Sequence, residues 1–266
     1  MFKEYLLIFR YREMLHNTVR KELRARYKGS VFGFLWTFFH PLLQLVIYSF
    51  VFNQILRAEA PLGANYTLWL FVALVPWTCI SATVQQSTTI IIQNGALIKK
   101  IYFPRLILPL SLALTNLVNM ALTFLIVFAT VIIVGAPIGL PYLALIPLFF
   151  LVFLLTFSIS VLLSALTVYF RDLQHIITVL TMLWFYLSPI VYPYEILKES
   201  DVWESLERYY RLNPVFGITE GFRDIIVYGN FPEWSQLTLT GVFSILLLIL
   251  ATLIFHRCQR RFAEEI

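Results

Sequence analysis

LILPLSLALTNLVNMALTFLIVFATVIIVGAPIGLPYLALIPLFFLVFLLTFSISVLLSALTVYF, residues 106–170, runs for 65 residues without one Asp, Glu, Lys or Arg. A helix needs about 20 apolar residues to cross a bilayer, because the hydrocarbon core is about 30 Å thick and each residue rises about 1.5 Å. The stretch is therefore long enough for two crossings, and Gly135, Pro137, Gly139 and Pro141 mark a tight turn between them. In lipid the backbone amides must bond within their own segment, so a run of this kind reads as helix.

Working outward, four more charge-free stretches cover residues 31–56, 60–98, 173–194 and 234–256. The pattern predicts an all-α integral membrane protein with six transmembrane helices, near residues 31–56, 67–92, 106–134, 143–168, 174–192 and 236–256. As one domain over residues 1–266, it divides into an N-terminal amphipathic interface helix (1–30), spans one to five (31–192), an outer gate-like segment with short helices (193–235), span six (236–256) and a tail (257–266). Composition agrees: 59% of the 266 residues are hydrophobic, 13% are charged, and the mean hydropathy is +0.79. These values exclude a water-soluble globule and a disordered chain. The net charge of +5 sits on no water-soluble basic module, so no nucleic acid is expected as a partner. Cys79 and Cys258 are read as free thiols, being too few for a disulfide framework. No uninterrupted apolar core marks the N-terminus as a cleaved signal, so the mature chain is expected to keep it.

Orientation follows from the basic residues. With both termini in the cytoplasm, inner segments hold fifteen of the twenty: eight before Val31, then Lys99, Lys100, Arg105, Arg171, Arg257, Arg260 and Arg261. Outer segments hold Arg57, Lys198, Arg208, Arg211 and Arg223, with nine of the fifteen acids. In the first thirty residues Phe2, Leu6, Phe9, Leu15, Val19, Leu23 and Tyr27 recur at helical spacing between basic groups. Two readings are open, a helix that touches a cytoplasmic partner and a plain anchor on anionic lipid. The outer segment mixes charges with Trp203, Tyr209, Tyr210, Phe216, Phe222, Phe231 and Trp234. Part of residues 215–228 either re-enters the membrane under cover of protein or lies as a surface loop.

Chemistry is sparse. His16, His40, His175 and His256 are scattered, and no HExxH, CxxC or paired carboxylates exist, so no catalytic residue and no metal site is expected. No Asp, Glu, Lys or Arg lies within the predicted spans, which argues against ion coupling through carboxylates. There is no GxxxxGK[ST] phosphate loop. Either the chain is a passive channel or scaffold, or a separate subunit supplies the work.

Several runs then fall into one order: RYKGSVFGFLW (26–36), HPL (40–42), YSFVF (48–52), NGALIKKIYFPR (94–105), FRDL (170–173), SPIVY (188–192) and NP (213–214). Together they resemble the ABC-2 type permeases that export bacterial polysaccharides, the membrane subunits of O-antigen, capsule and wall teichoic acid exporters. The resemblance covers essentially the whole chain. It implies a homodimer of six-helix subunits in the bacterial inner membrane, joined by two copies of a nucleotide-binding ATPase subunit and moving a lipid-linked glycan outward. No cofactor is expected in this chain; ATP and Mg belong to the partner.

The resemblance also assigns candidate residues. In the loop 93–105, which carries Asn94 and Pro104, a coupling helix is expected to use Leu97, Ile98 and Phe103 as its buried contacts and Lys99 and Lys100 as the rim. Those two lysines alternatively only fix topology. Arg171 and Asp172 read as a second contact, an internal ion pair or a helix-end pair. His40–Pro41 should bend span one. For the translocation path the candidates are Trp36, Phe39, Trp77, Phe153, Phe157, Trp184 and Tyr186, whose rings can lie against sugar C–H faces, with Gln85, Gln86 and Asn116 facing the bundle interior. An ABC-2 exporter of a drug or another lipid is the nearest alternative. A membrane glycosyl- or acyltransferase comes last.

Overall fold

The computed structural model describes residues 8–25, 32–55, 57, 60–194 and 203–265. Residues 26–31 of the first quoted run, together with Phe2, Leu6, Tyr27 and Lys198, lie outside them. Among the described residues every regular element is helical. Four helices are long and apolar enough to cross a membrane: Tyr66–Ser87, Ile107–Val134, Leu140–Leu166 and Trp234–Arg261.

The first helix, α1 (Arg12–Ala25), is amphipathic. It packs on α6 (Ile107–Val134) with Tyr11, Met14 and Leu15 turned toward the core, while Arg12, Arg20, Lys21 and Arg24 stay exposed. Between them in the chain, α2 (Trp36–Tyr48) continues through Pro41 as one helix and then widens into a π-helical stretch, Ser49–Ile55. Next comes α3 (Tyr66–Ser87), capped by Asn65, whose Oδ1 accepts the Leu68 N–H at 3.1 Å. It stops five residues short of the predicted end at 92. The hydroxyls of Ser87, Thr88 and Thr89 bond back to the carbonyls of Val84, Gln85 and Gln86. Consecutive hydroxyl side chains compete for the helix acceptors and break it there. Two short helices, α4 (Ile90–Gln93) and α5 (Gly95–Lys100), carry the chain to α6.

The predicted turn in the 65-residue run is present. Gly135 ends α6 in the left-handed region, φ +72°, where glycine alone carries no Cβ penalty, and its N–H bonds to the Val131 carbonyl. A 3-10 turn, Leu140–Ala144, opens α7 (Leu145–Leu166). The helix α8 (Leu173–Tyr186) has 14 residues, about 21 Å by helical rise, against the predicted 174–192. The chain turns at residues 187–190 because Pro189 disfavours helical backbone at Ser188. With Trp36–Phe52, α8 belongs to the shorter apolar helices rather than to the four long ones.

Beyond it, α9 (Trp203–Leu212) leads to α10 (Pro214–Ile226) and α11 (Trp234–Cys258), and a 3-10 turn Gln259–Arg261 leads to α12 (Phe262–Glu265). The scaffold is the long pairing of α7 with α11, flanked by α3 and α6. Small residues let these backbones approach: the Ser158 hydroxyl donates to the Ser244 carbonyl at 2.9 Å, and a Cβ on Gly241 would sit 3.3 Å from Leu151. At one end of the bundle α10 packs on α3, α7 and α11; at the other lie α1, α5 and α12. Of the 13 residues of α10, 11 are buried, so residues 215–228 are no surface loop.

Candidate functional site

A polar groove opens between α2, α3 and α6. It encloses about 520 Å³, within the range of small-molecule sites, and its polar wall includes His40 and Gln44 on α2, Gln86 on α3, and Asn116 and Asn119 on α6. Among the described residues, no charged one lines it. The helical repeat explains the convergence: His40 and Gln44 are one turn apart, as are Asn116 and Asn119. Asn116, 2% exposed, donates to Thr83 Oγ1 at 3.0 Å and to Gln86 Oε1 at 3.3 Å. Both amide atoms of Asn119 are buried with no hydrogen-bond partner among the described residues. A bare buried amide costs free energy, the more so away from water, so this position has unspent capacity for a polar ligand. Gln86 also lines a second cavity of about 440 Å³ with Lys21, Glu22, Gln93 and Asn94, near the α5 end.

At the α10 end the chain ties a knot of polar groups. Asn213 accepts the Trp184 indole N–H at 3.0 Å and the Val215 N–H at 3.1 Å on Oδ1, and its Nδ2 donates to Ser188 Oγ at 2.9 Å. Asn213 therefore caps α10 while pinning the turn after α8. Arg223, in α10's last turn, is fully buried. Its guanidinium donates to the carbonyls of Pro189 (2.7 Å) and Ile190 (2.8 Å) and to Glu220 Oε1 (2.5 Å), and lies 3.3 Å from the ring centre of Trp69. A fork of donors over an aromatic face is a geometry only arginine supplies. Next to it, burial first and then the neighbouring Glu220 carboxylate push the Asp224 carboxyl up to about 7, against a hydrogen bond with the Glu233 backbone that pulls it down.

The α5 end is closed by the C-terminus. Arg105 donates to the Gln259 carbonyl and lies over the Phe262 ring, and Phe262, fully buried, meets Phe255 edge-on at 5.4 Å. The tail thus supports α5, the short helix it packs against.

The profile of the family described as ABC-2 type transporter matches residues 15–227. The chain belongs to this family. An O-antigen export system permease protein RfbA from Myxococcus xanthus is 32% identical over 268 residues, covering 97% of each chain. Two proteins of the same name from Klebsiella pneumoniae are 33% and 31% identical over 255 residues, each covering 95% of this chain and 94% of the relative.

The loop of this ABC-2 chain that carries the coupling candidates divides its side chains differently from the expectation. Ile98 (7% exposed) and Phe103 (4%) are buried in the subunit's own core, and Leu97 is partly buried against it. The side chains presented outward are Lys99, Lys100, Ile101 and Tyr102, the last 88% exposed. Asn94 shapes the loop, its Nδ2 donating to the Ile90 carbonyl at 2.8 Å, and the Pro104 carbonyl accepts the Ile107 N–H. Arg171 and Asp172 are exposed and form no ion pair with each other or with other described residues. Both line a shallow cavity with Glu265.

Of the seven path candidates, Trp36 lines the groove, with Phe39 beside it in an edge-to-face cluster that includes Phe32. Trp77 is buried against Trp184 and Phe185, away from the groove lining. Phe153 and Phe157 stack at 5.8 Å within the core, and Tyr186 is exposed at the end of α8. Gln85 is exposed off the groove. Asn119, Arg223 and Arg105 were absent from the sequence-derived candidates. The one signal for Arg223 was an arginine three residues after Glu220 in an Asn-Pro-capped apolar stretch.

Proposed function

We propose that the chain is the membrane permease subunit of an ABC exporter that moves a lipid-linked polysaccharide, such as O-antigen, capsular polysaccharide or teichoic acid, outward across the bacterial inner membrane. The observation that carries this reading is the end-to-end likeness to a protein named an O-antigen export system permease, 97% of each chain. The groove supports it, because an uncharged wall of amides, hydroxyls and an aromatic ring suits neutral, hydroxyl-rich sugar better than an ion.

In this reading the chain performs no catalysis. Two copies pair, and α2 with its π-helical extension and α8 are the surfaces for it: Leu43, Val46, Ile47 and Phe50 on one and Val179, Met182 and Leu183 on the other are all more than half exposed. Six crossings result when the Trp36–Ile55 run and α8 with its following turn count as spans. Both termini lie in the cytoplasm, and two ATPase subunits, holding ATP and Mg, dock on Lys99, Lys100, Ile101 and Tyr102. Their closure on ATP is passed through α5 to α3 and α6, the walls of the groove.

The test is co-purification with the ATPase encoded beside it, followed by hydrolysis in lipid with and without a lipid-linked glycan. A complex of two plus two subunits whose hydrolysis rises with the glycan is expected. Absence of any complex would return the passive channel or scaffold. Stimulation by a drug or simple lipid, and none by the glycan, would move the chain to another ABC-2 cargo.

A further inference from the structure

We infer that the C-terminal end of α11 is a binding site for the phosphate of an anionic phospholipid. A cavity of about 700 Å³ lies there, lined by Tyr169, Leu253, His256, Arg257, Arg260 and Arg261. Three arginines within five residues line it, and none forms an ion pair among the described residues. No carboxylate lines the cavity among the described residues. Asp172 and Glu265 line a separate cavity that shares Tyr169 with this one. The wall is braced: the Tyr169 hydroxyl donates to the Cys258 carbonyl at 2.8 Å, and Gln259 Nε2 meets His256 Nδ1 at 2.7 Å. The arginines therefore project from a fixed helix end rather than from a loose tail.

A helix C-terminus favours cations by itself, so charge alone would point to nothing. The second observation is what leads into the cavity. Leu246, Leu250, Leu253 and Arg257 follow one another at spacings of four, three and four, and so lie on one face of α11. The three leucines are 62%, 52% and 42% exposed, and Leu239, Val242 and Phe243 continue the exposed apolar surface toward the other end. From Leu239 to Leu253 this strip is about 21 Å long by helical rise. An apolar strip ending in a triply basic cavity has the shape of an acyl chain running into a phosphodiester. A soluble anion would use the cavity and have no use for the strip. Arginine is suited to the role, since its fork matches phosphate oxygens in pairs. This inference does not depend on the cargo or on which side of the membrane the end faces.

The chain is reconstituted in discs of phosphatidylcholine containing about one phosphatidylglycerol in five, extracted gently, and weighed intact by native mass spectrometry to count retained phosphatidylglycerol. The wild type is expected to retain it, and R257Q/R260Q/R261Q to bind it at least tenfold more weakly. That figure is conservative for three basic side chains at roughly fivefold each, about 1 kcal/mol apiece. A control removing three exposed charges elsewhere, R10Q/K99Q/K100Q, should retain it as the wild type does. Equal retention by the triple variant overturns the site, and so does equal loss in the control. Displacement by millimolar inorganic phosphate would identify an anion site without lipid preference and would overturn the lipid assignment. If the triple variant does not accumulate, the single variants R257Q, R260Q and R261Q carry the test, with about a fivefold loss expected from each and no loss from R10Q.

Discussion

Replacing Arg223 with Met should rank among the most damaging single changes in this chain. Methionine keeps most of the apolar stem but withdraws the donors that hold the Pro189 and Ile190 carbonyls and Glu220 Oε1, at 2.7, 2.8 and 2.5 Å. Removing one partner of a buried ion pair costs about 3–5 kcal/mol, and an orphaned buried acceptor about 1–3. Loss of the cation over Trp69 adds up to about 2 kcal/mol. These figures overlap, because Glu220 is 19% exposed and can reach water or a proton once stranded. A net loss of about 4 kcal/mol is expected, or roughly 8–16 °C in melting temperature for a chain of this size. The assay is tryptophan-detected thermal unfolding in detergent, with R223K and R223M/E220Q alongside. Lysine keeps the charge but cannot reach three acceptors as a fork, so it should fall between wild type and R223M. Removing the stranded carboxylate in R223M/E220Q should recover about 1–2 kcal/mol. An R223M protein melting within about 2 °C of wild type, with no recovery in the double variant, would refute the view that this buried cation ties α10 to α3 and to the turn after α8.

Four further outcomes are expected. K99E/K100E and Y102D should fold normally and lose glycan-stimulated ATP hydrolysis, whereas I98D and F103D should fail to accumulate, because a carboxylate there enters the core at a cost of several kcal/mol; expression and hydrolysis measured together separate the two classes. Asn119→Leu should raise the melting temperature by the equivalent of about 1 kcal/mol, by deleting an unpaired buried amide, while export falls several-fold; export unchanged in a stabilised variant would remove Asn119 from the path. Asp224, held near 7 when folded against about 4 when unfolded, contributes stability that is fully present below pH 4 and is lost as pH rises through 7, so melting temperature should fall between pH 5 and 8 in the wild type and stay flatter in D224N. Amide hydrogen exchange in lipid should be faster in α2 and α8 than in α7 and α11, and the reverse order would contradict the packing described above.

Much of the fold could be read from residues 106–170 alone, because hydropathy and a Gly/Pro turn are local signals that the membrane makes nearly binding. Helix ends were less legible. Ser87, Thr88 and Thr89 stop α3 through their own hydroxyls, a competition invisible to a search for charge-free runs. At the loop 93–105 the sequence could mark the segment but not its faces. With only six residues in α5 there is too little helix to establish a periodicity, so Ile98 and Phe103 looked as available to a partner as Ile101 and Tyr102. Arg223 was missed for a different reason. Counting charges assigns an arginine in a polar linker to water, and what overrides that prior is a set of partners 33, 34 and 154 residues away in the chain. Long-range satisfaction of a buried polar group cannot be recovered from local pattern, and it is where this chain departs most from its hydropathy.

The same accounting of bonds divides the subunit into a part that holds and a part that can shift. The α7–α11 pair is fastened by a hydroxyl-to-carbonyl bond between Ser158 and Ser244, and α7 to α6 by Ser160 to Pro109. Sixteen of the 22 residues of α3 are buried among these neighbours. By contrast α8 buries Thr181 alone, and α2 buries only Thr37 and Pro41. Moving either short helix costs little protein contact, since lipid or a second copy can replace it, and in a membrane the apolar faces have no water to flee. The groove lies on this boundary, with α3 and α6 as the fixed wall and α2 as the movable one. His40 and Gln44 travel with α2, while Asn116 and Asn119 stay with α6. A shift of α2 therefore changes the width of the groove without breaking the Asn116 bonds to Thr83 and Gln86. The knot at Arg223 fixes the end of α3 against the turn that follows α8, so motion of α8 is restrained at that end and freest at Leu173, the end beside the exposed Arg171 and Asp172.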